Sequence, residues 1–266
     1  MDVVLKSNAF WSLFANLLTA HLLSDFYLQS DKWVGEKSLS ARTTWYHFIV
    51  VFFTSAIASF DMRFLPYAFL LTVFHIHIEC VKSNVKKHLL QFIYDQLMHI
   101  LSIVFVSFLF VNGSHWEQIR FVPSNYSLTL PYFVCAILTC MTPSNYLVRA
   151  ALEYFDFNEK EEVEKRCSDG VGSAPSAMAS HYSPLSIRPN HSSGTLIGSM
   201  ERTLIFLFVL MDEASAAGLI VAAKTLLHFR DSEGARAKLV VAGTLLSVTL
   251  AIVYAMLFKF FLLGKI

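Results

Sequence analysis

Charge is scarce in this chain. Only 15% of its residues are charged, and its 21 Lys and Arg nearly balance its 20 Asp and Glu, giving a net charge of +1. It has no basic stripe of the kind that binds nucleic-acid phosphates, so no nucleic-acid partner is expected. Apolar residues make up 55% of the chain, including 24 Phe. This composition is typical of a membrane protein rather than of a soluble domain.

Sequence motifs of soluble enzymes are also absent. The chain has no HExxH zinc motif, no phosphate-binding glycine loop and no Ser/His/Asp nucleophile motif, so these signatures assign no catalytic residue and no organic cofactor. Its cysteines show neither CxxC spacing nor the pattern of a disulfide framework, and we interpret them as packing residues. They are Cys80, Cys135, Cys140 and Cys167.

Long apolar runs define the organisation of the chain, because about 17 to 25 apolar residues can cross a bilayer as a helix. They predict helices near residues 8–28, 44–60, 64–82, 88–111, 129–151, 195–211, 214–229 and 239–262. The first run lacks the flanking features of a signal peptide, so we expect a retained helix. The predicted fold class is all-α, a polytopic membrane helix bundle of about eight transmembrane helices. The range is six to eight, because 195–211 and 214–229 are short.

The predicted helices fall into four segments. Residues 1–112 form a four-helix membrane unit, and residues 113–152 form an outer loop and a fifth helix. Residues 153–194 are polar and their larger part is rich in Ser, Pro and Gly, which predicts a largely flexible cytoplasmic loop. Residues 195–266 contain the C-terminal membrane helices. No internal sequence repeat relates these segments.

Lys and Arg predict the orientation of the helices. If eight helices alternate in direction, sixteen of the 21 Lys and Arg residues fall on one side of the membrane. The loops on that side are 29–43, 83–87, 152–194 and 230–238. Since cytoplasmic loops are enriched in Lys and Arg, this side is predicted to be cytoplasmic and both termini to face outward. We therefore expect a multi-pass protein of a bacterial cytoplasmic (inner) membrane, in contact with the lipid bilayer.

Three His/carboxylate pairs interrupt the apolar runs. The members of each pair are four residues apart, which is close to one helical turn, so both lie on one face of a helix. The pairs are His21/Asp25, His75/Glu79 and Asp95/His99. Ionisable residues in membrane helices are costly to bury and are functional candidates by default.

The three pairs and His47 are predicted to lie at a similar depth in the membrane. At a rise of ~1.5 Å per residue, each lies within about three turns of the cytoplasmic end of its helix. Imidazole and carboxylate groups suit zinc, iron or manganese, and this set could hold one ion or two. The predicted metal ligands are His21, Asp25, His47, His75, Glu79, Asp95 and His99.

A divalent metal at this depth suggests a hydrolase. The metal would provide a hydroxide nucleophile near neutral pH and stabilise negative charge on a carbonyl or phosphoryl oxygen. Lys82, Lys86 and Lys87 lie close to the pairs in the sequence. They predict contact with anionic lipid headgroups, and a lipid or another phosphorylated amphiphile as substrate.

Other interpretations of the same residues stay open at this stage. A His/carboxylate pair can be an interhelical hydrogen bond that holds a bundle together. The pairs could form the relay of a transporter or proton-coupled channel, although the outer halves of the first four helices are almost wholly apolar. The chain could also be a non-catalytic membrane scaffold or sensor that binds a partner through residues 153–194. His77 is predicted to point away from the face of His75 and Glu79.

A second group of charged residues lies in the C-terminal half. Glu201 and Arg202 are near the start of the sixth predicted helix, and Lys224 is near the end of the seventh. Buried charges usually need partners, so a Glu201–Lys224 pair or a pair between Arg202 and a carboxylate is predicted as a structural clamp.

The sequence around the pairs resembles a family of bacterial membrane proteins called domain of unknown function 3307. HLLSDFYLQSDKW at 21–33 is similar to its HLLxDFxLQ motif, and DQLMH at 95–99 to its DQxxH motif. HIHIECVK at 75–82 is similar to its HxxxD motif followed by Lys, with Glu79 where an Asp is usual, which lengthens one arm of the site. The family also has a lone His, as at His47.

This resemblance covers about residues 15–105 closely and 195–250 more loosely. In the second stretch, GSMERTLIFLFVL at 198–210 looks like the C-terminal helices of the longer members. The resemblance implies that these positions form a unit, but it implies no activity. A looser similarity to membrane-bound metal-dependent hydrolases, which also place His and Asp near helix ends, is an analogy of pattern.

Overall fold

A computed structural model describes residues 2–29, 42–82, 88–113, 129–154, 193–229 and 235–263. Within these ranges the chain is helical apart from short turns and has no β-strand, so the predicted all-α class is confirmed. The α-helices are α1 Asp2–Leu22, α2 Arg42–Ala58, α3 Leu65–Lys82, α4 His88–Gly113, α5 Thr129–Cys140, α6 142–154, α7 Ser193–Leu210, α8 Ala214–Phe229 and α9 Ala235–Leu263. Almost all of the predicted loop 153–194 lies outside the described residues.

Helices α1 to α4 form a bundle in which α1 and α3 each contact both α2 and α4. The buried apolar side chains precede the His/carboxylate pairs on α1 and α3 and follow the pair on α4. They are Leu13, Leu17, Phe64, Ala68, Leu71, Ile103, Val106, Phe110 and Val111. The apolar core therefore fills one end of the bundle, and the polar pairs lie at the other end.

The turn between α2 and α3 closes the apolar end of the bundle. Phe60 has a φ of 53°, and Asp61 then caps the following 3₁₀ turn, with Oδ1 accepting a hydrogen bond from the Arg63 backbone N–H at 2.9 Å. The Arg63 guanidinium also donates to this carboxylate, with Nη2 2.7 Å from Oδ2. The hydrogen bonds from Arg63 hold the pKa of Asp61 below its usual range, so this carboxyl is ionised at neutral pH.

The helix predicted for residues 129–151 is in fact two helices, α5 and α6, which meet at Met141. The break has a local cause, because Pro143 has no N–H to donate to the Thr139 carbonyl. The Ser144 hydroxyl donates to that carbonyl instead, at 2.6 Å. The apolar run continues through this break, so hydropathy alone predicts a single helix.

Helices α7, α8 and α9 form the C-terminal part of the fold. α7 packs along α9, and α8 contacts both of them. α5 connects this part to the N-terminal bundle, since it contacts α1, α7 and α9. Two tyrosines reinforce the connection. Tyr132 donates to the Trp11 carbonyl at 3.1 Å, and Tyr27 donates to the Leu138 carbonyl at 2.8 Å.

Three helical segments of the described chain are long and apolar enough to cross a membrane. They are Met62–Val81, His88–Gly113 and Val241–Phe260. Large apolar side chains on α4 are exposed, including Phe105 and Phe108, as expected for a surface that faces lipid. The 16 residues of α8 extend only about 24 Å, less than the ~30 Å hydrocarbon core of a bilayer. A membrane location is compatible with these helices, and the eight crossings stay a prediction.

Candidate metal centre

The first polar pair lies where α1 changes its helical pitch. Residues Leu23–Tyr27 form a π-helical turn directly after α1, and the Leu28 N–H donates to the Leu23 carbonyl at 2.8 Å. Such π-helical turns are rare in proteins, and those that do occur are often at functional sites. Asp25 is the third residue of this turn, and its side chain is only 10% exposed. The turn follows the C-terminal end of α1 and places this carboxylate in the interior of the bundle.

Four histidines from four different helices converge around Asp25. The ring centroid of His99 lies 4.5 Å from that of His21 and 4.4 Å from that of His75. The ring centroids of His47 and His75 are 4.9 Å apart. All four are buried, with exposed fractions of 2% to 7%. The four residues, which are predicted to lie at a similar depth, therefore also converge on one place in the bundle.

Asp25 contacts all four histidines through its two oxygens. Oδ1 lies 3.7 Å from His47 Nε2 and 3.9 Å from His75 Nε2. Oδ2 lies 3.6 Å from His21 Nδ1 and 3.9 Å from His99 Nε2. These four distances are too long for hydrogen bonds. The Asp25 carboxylate and the four imidazoles are nevertheless close together in the interior of the bundle.

Helix α4 supplies Asp95, Gln96 and His99 to the same site. Asp95 Oδ1 lies 3.4 Å from His99 Nε2, and its Oδ2 accepts a hydrogen bond from Gln96 Nε2 at 3.2 Å. The Gln96 side-chain oxygen is 3.3 Å from His21 Nε2. With Gln96 oriented as a donor to Asp95, its oxygen is an acceptor, so His21 carries its proton on Nε2.

This tautomer leaves an electron pair on His21 Nδ1 that faces the carboxylate oxygen of Asp25. Two lone pairs that face each other repel unless a proton or a cation lies between them. His99 Nε2 also faces carboxylate oxygens, and it is buried without a hydrogen-bond partner among the described residues. Both nitrogens belong to a group that could hold a metal ion, and Gln96 fixes the tautomer of one of them.

The distances fit a metal centre. Ligand atoms about 2.0–2.2 Å from zinc in a tetrahedral site lie about 3.3–3.6 Å from each other. Two groups of ligand atoms lie within 4.8 Å of one another: His21, Asp25, His75 and His99, and His47, His75 and Glu79. All seven predicted ligands therefore lie in one buried cluster, six of them in these groups and Asp95 directly beside His99. We refer to these seven residues as the His/carboxylate cluster.

His75 and Glu79 share one face of α3, and His77 lies on another, as predicted from their spacing. His75 is 3% exposed and Glu79 is half-buried, whereas His77 is exposed and does not belong to the cluster. A carboxylate oxygen of Glu79, whose side chain is one methylene longer than that of Asp, lies within 4.8 Å of a ring nitrogen of His47 and of His75. Lys86 and Lys87, and the side chain of Lys82, lie outside the described residues, so their contact with lipid headgroups stays a prediction.

This difference between two histidines of one helix gives a matched experiment. We expect His75→Ala to reduce metal retention at least tenfold, because it removes a nitrogen common to both ligand groups. His77→Ala should retain the wild-type metal content. Elemental mass spectrometry of protein purified without chelators measures both. Equal metal content in the two variants would contradict the assignment of His75.

The C-terminal charges form the predicted clamp through the first of its two alternatives, since Lys224 donates to Glu201. Arg202, the other alternative, donates to neutral oxygens of the chain. This buried guanidinium donates to the Cys140 carbonyl at 2.7 Å, to the Met141 carbonyl at 3.3 Å and to Asn145 Oδ1. It also donates to Ser247 Oγ at 2.9 Å. The Cys140 carbonyl is left free by the end of α5, where the helix dipole also favours a cation, and the Met141 carbonyl also accepts the Asn145 backbone N–H at 3.2 Å.

Several polar residues that contact Asp25 or Arg202 were not predicted from the sequence. Ser24 is 1% exposed, and its hydroxyl oxygen lies 2.9 Å from Asp25 Oδ1. Asn145 binds Arg202 and also donates to Ser199 at 2.7 Å. Proximity in sequence was the available signal for Ser24. No spacing rule predicts Asn145 or Ser247, since they lie on helices distant in sequence from Arg202.

The comparison with protein families agrees with the resemblance found in the sequence. Residues 13–126 match a family described as Protein of unknown function (DUF3307). This range contains the whole His/carboxylate cluster, whereas residues 195–250 lie outside the match. Neither curated proteins nor solved structures show significant similarity to the chain.

Proposed function

We propose that this chain is a membrane-bound, metal-dependent hydrolase of the bacterial cytoplasmic membrane that cleaves a lipid or another phosphorylated substrate. The observation that carries the proposal is the position of Asp25, whose carboxylate lies within 4 Å of four buried histidine nitrogens. Such a set of neutral nitrogens and carboxylate oxygens is the donor chemistry of zinc, iron and manganese sites.

A bound divalent ion would supply an activated water and stabilise negative charge on the substrate oxygen. Asp95 is the carboxylate outside both ligand groups, and it lies beside His99 on the edge of the cluster. It is positioned to accept the proton of the attacking water. The water oxygen would bond to phosphorus or to a carbonyl carbon, the bond to the leaving oxygen would break, and that oxygen would take the proton from Asp95.

The location of the cluster supports a substrate that comes from the membrane surface. The cluster lies at the end of the bundle that the distribution of Lys and Arg predicts to be cytoplasmic. An amphiphile could bring its polar head to this end while its chains stay in the lipid. Lys82 ends α3, Lys86 and Lys87 follow it in the sequence, and all three would attract an anionic headgroup.

A transporter or proton-coupled channel is less well supported. A relay would need titratable groups through the length of the bundle. Beyond the cluster, the described part of the bundle is filled by apolar side chains that include Leu17, Ile103 and Phe64.

A scaffold or sensor would use the cluster as interhelical hydrogen bonds. The cluster has two of these, between His47 Nε2 and His75 Nε2 at 2.9 Å and between His21 Nε2 and Gln96 at 3.3 Å. The four contacts of Asp25 with the histidines are all longer than hydrogen bonds, and they favour a metal centre over such a scaffold.

The test is the metal content of the chelator-free protein beside the His21→Ala/Asp95→Ala double variant. We expect zinc, iron or manganese in at least stoichiometric amount in the wild type, and its loss in the double variant with unchanged membrane insertion. The metal-loaded wild type should also release inorganic phosphate or a water-soluble headgroup from phosphorylated lipids in mixed micelles. Equal metal content in both proteins, or no stoichiometric metal in folded wild type, would reject the proposal.

A further inference from the structure

The Tyr27 hydroxyl is inserted into the break between α5 and α6. In an unbroken α-helix the Thr142 N–H would donate to the Leu138 carbonyl, four residues earlier. Here the Tyr27 hydroxyl donates to that carbonyl at 2.8 Å, and the Thr142 N–H donates to the same hydroxyl at 3.4 Å. The carbonyl also accepts the Met141 N–H at 3.3 Å. Tyr27 therefore joins the two groups of the missing helical hydrogen bond, as side chains inserted into a helix break do.

Tyr27 belongs to the same five-residue π-helical turn as Asp25. The turn closes between the Leu28 N–H and the Leu23 carbonyl, five residues earlier, whereas an α-helix closes over four residues. Relaxation of the turn to the α-helical pitch would therefore rotate the Asp25 side chain about the helix axis. A hydroxyl that is held on both sides of a break in another helix opposes this rotation.

We propose that Tyr27 is a positioning residue of the metal centre, which holds the π-helical turn against the α5–α6 break and so keeps Asp25 among the four histidines. This inference rests on the proposed function, and it adds a residue outside the His/carboxylate cluster on which the cluster depends. Leu138 and Thr142 lie outside residues 13–126, which match the family. The N-terminal bundle therefore obtains part of its site geometry from a later segment of the chain.

The position of Asp25 has little tolerance for such a rotation. Its two oxygens lie 3.6–3.9 Å from ring nitrogens on four different helices. Metal sites need their ligand distances to within about 0.2 Å, so a small displacement of one carboxylate weakens binding. Loss of a group that orients a ligand typically reduces metal affinity by about 10- to 100-fold.

Tyr132 provides a matched control for Tyr27. Its hydroxyl also connects α1 with α5, since it donates to the Trp11 carbonyl at 3.1 Å. Trp11 lies about 15 Å along α1 from His21 at the usual helical rise. Removal of either hydroxyl deletes a tyrosine contact between the same two parts of the fold, but Tyr27 alone of the two lies in the turn that carries Asp25.

The experiment is a Co²⁺ titration of the full chain in detergent after treatment with a chelator, followed through the visible absorption of the bound ion. We expect Tyr27→Phe to bind Co²⁺ about tenfold more weakly than the wild type and to change the absorption bands, because the ligand geometry shifts. Tyr132→Phe should keep the wild-type affinity and bands. Thermal unfolding of the metal-free proteins measures the loss of packing in each variant separately from metal binding.

A second measurement uses the wild type alone. Coupling between the Tyr27 contacts and the bound ion is reciprocal, so Co²⁺ should strengthen these contacts. We expect hydrogen exchange of the Thr142 amide to be slower in the Co²⁺-loaded protein than in the metal-free protein. This comparison tests the inference even if Tyr27→Phe does not fold.

The outcomes separate this inference from the proposed function. Wild-type affinity and bands in Tyr27→Phe, or exchange of the Thr142 amide that is the same with and without Co²⁺, would overturn the role of Tyr27 and leave the metal centre in place. An equal loss of affinity in Tyr132→Phe would also overturn it, because the loss would then follow from a general loosening of α1. No Co²⁺ binding by the folded wild type would reject the proposed function and this inference with it.

Discussion

Replacing Asp25 with Asn is expected to remove all bound metal and to reduce hydrolysis at least a thousandfold. Asn has nearly the same shape, but its amide nitrogen cannot act as a metal ligand and the negative charge is lost. Since Asp25 is the residue that contacts all four histidines, no other single substitution should have as large an effect. Elemental mass spectrometry and the phosphate-release assay measure the two results.

Asp61→Asn is the matched control for this substitution. Asp61 is also an ionised aspartate near a helix end, but it lies at the opposite end of the bundle and pairs with Arg63. We expect Asp61→Asn to keep its metal and its activity. An Asp25→Asn protein that binds metal like the control would show that Asp25 is not a metal ligand.

Replacing Arg202 with Met is expected to destabilise the protein by on the order of 3 kcal/mol without changing its metal content. The guanidinium binds two carbonyls at the end of α5 and side chains on α6 and α9, and it is 2% exposed. Met fills a similar volume but leaves the Cys140 carbonyl without the guanidinium donor in an apolar interior. Thermal unfolding in detergent should show a clearly lower Tm.

Two further variants make the result for Arg202 specific. Arg63→Met removes a partly exposed arginine and should change the Tm little. Arg202→Lys keeps the charge but loses the planar guanidinium, so its Tm should lie between those of the wild type and Arg202→Met. An unchanged Tm for Arg202→Met would show that the hydrogen bonds of Arg202 do not support the packing of these helices.

The composition and the four-residue spacing predicted much of the fold and of the candidate site. Apolar runs gave the helices of the N-terminal bundle to within a few residues, apart from the N-terminal extension of α1. His21, His75 and His99 were predicted to lie at a similar depth in helices of alternating direction, and the fold brings their rings together. Side chains at one level of a bundle whose neighbouring helices alternate in direction can converge without any long-range information.

The remaining features depend on events that a one-dimensional pattern does not contain. Spacing predicted that Asp25 would pair with His21, but the π-turn lets it contact three other helices as well. Hydropathy predicted one helix through Met141, because the effect of Pro143 was outweighed by the apolar residues around it. Arg202 was expected to need an acid, yet free carbonyls at a helix end satisfy a guanidinium equally well.

The packed apolar end of the bundle also has a kinetic consequence. Among the described residues, Leu17, Phe64 and Ile103 fill the space beyond the cluster, so in the proposed hydrolase substrate would enter and product would leave at the polar end. Product and substrate would then use the same end of the bundle. Product inhibition of the proposed hydrolase should accordingly be competitive.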